Sequence, residues 1–186
     1  MLEWSFLVGI ILLLIYTALI IAREKTTYLE EAKIMRFHDL EFPIPRWWTQ
    51  TEQQNSFWKF ERTDTRYDWY ANFQKLESHK AAAEILIHYL QQKNIKMDPS
   101  PESMVEENTA HLFKDKMLVE NFSDFIRMEG TATQDEEERI YLDVVILKKE
   151  NANTYYLLES RSSVLNGGVE GPYFEEALSR ALYKTN

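Results

Sequence analysis

The chain has 186 residues, 45% hydrophobic and 27% charged, the balance of one ordinary globular domain with an appendage. A formal net charge of -9 argues against nucleic acid or an anionic lipid surface as partner, because phosphate contacts need clustered Lys and Arg and no such cluster occurs. The absence of cysteine excludes disulfides, thiolate catalysis, iron–sulfur ligation and cysteine-type zinc sites, without fixing the compartment.

Residues 1–3 form a short overhang before an uncharged run from Trp4 to Ala22, WSFLVGIILLLIYTALIIA. A helix of that length reaches roughly 28 Å, which predicts a transmembrane helix over residues 4–22 and contact with the lipid bilayer. Trp4 and Arg23 mark the edges of the expected membrane anchor. A cleaved signal on an exported domain is the alternative, against which stands the lack of any basic residue before the run. Arg23, Lys25, Lys33 and Arg36 follow it, so the positive-inside rule predicts a single-pass membrane protein with its C-terminal domain in the cytoplasm. Residues 23–36 read as a polar stalk or linker, and residues 37–186 as one α+β domain.

Within that domain Phe37, Leu40, Phe42 and Ile44 approximate the alternation of a first strand, which Pro43 and Pro45 bring to an end. SFWKFERT and YDWYANFQKL alternate strongly and predict a hairpin across DTRYD. SHKAAAEILIHYLQQKNIK predicts a helix with Ser78 as N-cap and a stop at Asn94, its apolar face packed on the sheet. A short helix is possible around Met104 to Phe113. FSDFIRMEGTAT, RIYLDVVILKK and TYYLLESRSSV read as three further strands joined by the hairpin loops QDEEE and ENAN. The last helix is expected to start at Gly171 and Pro172, after a flexible NGGVEG loop. Consecutive hairpins without βαβ alternation predict a largely antiparallel sheet with helices packed on it.

The Pro-x-x-Trp of FPIPRWW, two aromatic strands, a helix, the glycine-bearing IRMEGTAT strand and the TYYLLESRSS strand before a final helix resemble the Mog1/PsbP-like α/β/α sandwich superfamily. The likeness covers about Phe37 to Tyr183 and is nearest to its bacterial membrane-anchored members of unknown role. It implies a binding or assembly module with no catalytic residues to carry over. The chain departs from that superfamily's lumenal and lipid-anchored members in having no transit peptide and no lipoprotein cysteine.

Candidate chemistry is sparse. His79 and His88 are nine residues apart and off the i, i+4 spacing of a helical metal pair, and His38 and His111 stand alone. The acids Asp135 to Glu138 lack the glycine and alternation of a calcium loop. Ser160, Ser162 and Ser163 sit in no nucleophile elbow, and NGGVEG is no phosphate loop. No catalytic, cofactor-binding or metal-ligating residue is expected. The aromatic set from Trp47 to Phe73 is dense, and an alternating strand sends only one face inward. One of Trp47 and Trp48 is expected to seal the core. The candidate partner-binding residues are Trp47, Trp48, Trp58, Trp69 and Tyr70. They point to a non-catalytic, membrane-tethered subunit holding a protein partner through an aromatic patch on an acidic surface, the alternative being an enzyme with an unrecognised site.

Overall fold

The computed structural model describes residues 2–62, 68–98 and 105–184. It opens with a helix, α1 (Leu2–Glu31), followed by five strands, β1 (Lys33–Phe37), β2 (Leu40–Ile44), β3 (Trp48–Gln54), β4 (Phe57–Arg62) and β5 (Trp69–Glu77). Helix α2 (Ala82–Gln92) leads to the short strands β6 (Ile95–Met97) and β7 (Val105–Glu107), a 3-10 turn at Thr109–Leu112 and α3 (Lys116–Asn121). Three long strands, β8 (Phe122–Gln134), β9 (Glu138–Lys149) and β10 (Thr154–Ser163), precede α4 (Val164–Ser179) and β11 (Leu182–Tyr183).

The main sheet has eight strands in the order β3-β4-β5-β10-β9-β8-β6, with β7 also paired to β8, and each pairing is antiparallel. The expected α+β class with an antiparallel sheet is what the chain adopts. Alternation along the central strands divides the core in two. Ile140, Leu142, Val144 and Ile146 of β9 and Tyr155 and Leu157 of β10 face α2, where Ile85, Leu86 and Tyr89 meet them. Val145, Leu147, Tyr156 and Leu158 face the other way, onto Phe174 and Leu178 of α4 and onto Phe37, Leu40, Phe42 and Ile44. The second layer is completed by a small sheet in the order β1-β2-β11.

Several elements depart from expectation for identifiable reasons. The first strand is a hairpin rather than one run, because His38 takes a left-handed φ of 55° and turns the chain between β1 and β2. Residues placed in the stalk therefore belong to a strand. Ser78 does not cap α2; Ala81 occupies the N-cap, and the Ser78 hydroxyl accepts from the Lys80 amide at 3.1 Å. Asn94 does end the helical segment, with φ 51°. Of the short helix expected near Met104–Phe113, Val105–Glu107 is strand and Thr109–Leu112 a 3-10 turn, Met104 lying outside the described residues. The turn expected at DTRYD lies outside them except for Asp68.

The expected membrane anchor is corrected. Among the described residues no helix is long and apolar enough to cross a membrane. The side chain of Trp4 lies outside the described residues, and Arg23 is exposed near the domain instead of marking a membrane edge. With the span go the bilayer contact over residues 4–22, the single-pass localisation and the orientation derived from it. The C-terminal turns of α1 pack on the domain: Tyr28 is 2% exposed, and its hydroxyl donates to the Pro43 carbonyl at 2.8 Å. Burial raises the Tyr28 hydroxyl well above the usual tyrosine value, and nearby Glu176 adds to the shift.

Candidate functional site

Helix α4 begins seven residues before the expected Gly171, so the supposed NGGVEG loop is helical and Pro172 lies inside the helix. Two contacts fix this segment to the sheet. Gly167 lies so close to Tyr141 that an added Cβ would sit 2.5 Å from the ring. Three residues further on, Glu170 is fully buried. Its carboxylate accepts from the Trp48 indole N–H at 2.9 Å and the Trp47 indole N–H at 3.4 Å, and it pairs with the Arg62 guanidinium. A buried carboxylate without such partners would be strongly unfavourable. Glu170 is thus the point at which both tryptophans of the RWW corner, strand β4 and helix α4 meet.

The two indoles diverge from there. Trp48 is 5% exposed and stacks on Trp69 with centroids 4.4 Å apart, and the Trp69 N–H donates to the Ser160 hydroxyl at 2.9 Å. Both belong to the core. Trp47 is half-buried, edge-on to Tyr173 at 5.0 Å and 6.1 Å from Tyr28, with the Arg62 guanidinium 5.8 Å above its ring. Trp47, Tyr28 and Tyr173 form one wall of a cleft of about 820 Å³ between the last turns of α1 and α4. Val169 and Pro172 supply further apolar lining, and Arg23, Arg62 and Glu176 the charge. That is the size and composition of a ligand or side-chain pocket. Glu176 is engaged by Arg180 at 2.5 Å and Lys114 at 3.8 Å.

The five aromatic candidates do not share one patch. Trp58 is half-buried against Phe37 at 5.1 Å, beside His38, in a separate cavity of about 430 Å³. Tyr70 follows Trp69 in β5 and so faces the opposite side of the sheet, held between Lys59 at 5.2 Å and Arg161 at 5.4 Å. Tyr67 lies outside the described residues. The histidines are dispersed: His38 bonds the Asn55 carbonyl at 2.6 Å, His88 lines a cleft beside α2, and His79 and His111 are exposed. Asp135 and Glu136 take left-handed φ at an exposed hairpin tip.

Buried charge elsewhere is structural in arrangement. Arg127 donates Nε to Asp143 Oδ1 at 3.0 Å and Nη2 to Oδ2 at 2.8 Å, with Glu129 at 2.8 Å and Glu175 of α4 at 3.6 Å. On the other face Asn72 donates to Glu159 at 2.6 Å, both residues buried beneath Tyr70 and Tyr89. No sequence pattern announced Glu170, Tyr28 or Tyr173.

No protein-family model matches the chain, and no curated protein matches it in sequence. Solved structures do. Cyanobacterial PsbP (CyanoP) from Synechocystis is similar with a TM-score of 0.51 and 12% identity, over 78% of this chain and 87% of that one. A Pseudomonas aeruginosa protein of unknown function, described as a putative regulator, gives 0.50 and 10% over 84% and 99%. A protein from Bacteroides thetaiotaomicron gives 0.50 and 12% over 84% of this chain but 49% of its own, so this chain spans about half its length. At these identities the likeness shows the fold alone, a largely antiparallel sheet with helices packed on it that this chain shares with the cyanobacterial PsbP structure.

Proposed function

We propose that the chain is a non-catalytic binding or assembly module that captures a protein partner at the aromatic rim around Trp47. The observation that carries this reading is the exposed side of the Glu170 centre, where a half-buried indole and two tyrosines line a wide cleft. Indole and phenol groups in such places are the usual anchors of interfaces. Residues 1–36 hold four basic and four acidic side chains, so the whole formal charge of -9 falls on the domain. A partner with basic groups around its contact would be steered toward it.

The two neighbouring tryptophans test the reading. Trp48→Ala is expected to destabilise the fold by about 3 kcal/mol, since it empties a buried indole site against Trp69 and Phe60. Trp47→Ala should cost clearly less stability than Trp48→Ala, because it gives up a 3.4 Å bond to Glu170 and half-buried ring contacts, while weakening partner capture at least tenfold, scored by crosslinking in cells followed by partner identification. If both variants lose only stability, the rim is core and the binding reading is abandoned.

A further inference from the structure

The cleft between α1 and α4 has a chemistry of its own beyond the rim. Its walls are Trp47, Tyr28, Tyr173, Val169 and Pro172, and its charged groups are already spoken for with one exception. Arg62 is paired with Glu170 and Glu176 with Arg180. Arg23 is exposed at the mouth, and no ion pair of Arg23 occurs among the described residues. In a protein of net charge -9 this leaves a local positive group beside an apolar cavity.

Resting on the binding-module reading, we infer that the cleft receives one apolar side chain of the partner protein, with a carboxylate next to it that meets Arg23. The aromatic edges suit a ring or a branched aliphatic group, and burying it supplies most of the affinity. The carboxylate fixes which way the segment enters, because an exposed charge pair adds selectivity more than strength. The partner's basic groups then belong around the inserted segment, over the acidic remainder of the surface.

One position offers a plug. Gly168 lines the cleft in the middle of α4, and a Cβ built on it has nothing within 4 Å. Gly168→Leu would occupy the cleft without the clash that Gly167 would suffer. A better helix former there also favours α4.

The test uses the full chain and three N-acetylated, C-amidated peptides, GSFDSG, GSFNSG and GSADSG, titrated against tryptophan fluorescence. GSFDSG should bind saturably, GSFNSG about three- to fivefold more weakly, and GSADSG at least tenfold more weakly. Gly168→Leu should abolish GSFDSG binding, and Arg23→Gln should erase the preference for Asp over Asn while keeping the rest. Arg23 is exposed, so that variant serves even where Gly168→Leu misfolds. Equal binding of the Asp and Asn peptides, or saturable binding of decanoate with none of any peptide, overturns the proposal. So does a cleft closed by a second copy, seen as a dimer that Gly168→Leu dissociates. In the capture assay, loss with Trp47→Ala but not with Gly168→Leu also overturns it while leaving the rim reading intact. Retention of capture by Trp47→Ala would defeat the rim reading itself.

Discussion

Glu170→Ala is expected to lower the melting temperature by roughly 10 °C. Removing one partner of a buried ion pair costs about 3–5 kcal/mol, and a domain of this size loses roughly 2–4 °C per kcal/mol. Here the deletion strands three donors: the Trp48 and Trp47 indole N–H groups and the Arg62 guanidinium, whose side chain is only 18% exposed. Glu170→Gln should lie in between, since an amide oxygen still accepts from Trp48 but no longer offsets the charge of Arg62. Arg62→Ala should resemble Glu170→Ala in size, because it leaves the carboxylate buried with neutral donors only. Thermal melts of the three variants followed by circular dichroism decide the matter. A loss of less than about 1 kcal/mol for Glu170→Ala would mean that the carboxylate is reached by water and that α4 does not depend on it.

The same residue shows where sequence reading stops. Pro172 and the glycines around it are good local reasons to begin a helix at Gly171, and of the apolar stripe Phe174, Ala177, Leu178, Ala181 and Leu182 read along it, the first four are buried, whereas Leu182 is 41% exposed in β11, beyond the end of α4 at Ser179. What extends α4 back to Val164 is tertiary: Gly167 seated on Tyr141, and Glu170 bonded to groups more than a hundred positions away in the chain. No window of local sequence contains such a pairing. Strand β3 was lost for a different reason. Its TQTEQQ run is a polar edge strand, exposed along most of its length, so it carries no apolar alternation to read. The β1–β2 hairpin was hidden by a turn built on His38 instead of glycine or asparagine. The long, nearly continuous apolar runs of β9 and β10 were legible because both faces of those strands are buried in the two halves of the core. Trp47 and Trp48 diverge where the turn at Arg46–Trp47 enters β3, and the cleft was not legible because it depends on Tyr28 arriving from α1 and Tyr173 from α4.

The Arg127–Asp143 pair should behave as a second sensitive point, and its response to pH separates it from simple packing. Asp143→Ala leaves a buried guanidinium with Glu129 and Glu175 as its remaining acids, so a loss of about 3 kcal/mol is expected. Replacing both partners, as in Arg127→Met with Asp143→Leu, should recover most of that loss, because the desolvation cost of the pair disappears together with its attraction. Burial pushes the Asp143 carboxyl up to about 6 from an ordinary 3.8, with Glu129 and Glu175 adding to the rise and Arg127 opposing it. The sign follows from linkage. A carboxyl that is more basic in the folded chain than in the unfolded one favours folding most when protonated, so its contribution is full below about pH 4. It then declines as pH rises toward 6 and is level above that. Asp143→Asn holds the position neutral at every pH and should remove this slope. The measurement is the urea midpoint of the parent chain and of Asp143→Asn at intervals from pH 4 to 7. The parent midpoint is expected to fall relative to the variant as pH rises through this window, while acids of the opposite kind such as Asp39 cancel in the comparison. A parent midpoint that instead rises relative to the variant would mean that the bidentate bond to Arg127 outweighs burial, and that the pair stabilises the sheet as an ion pair at neutral pH.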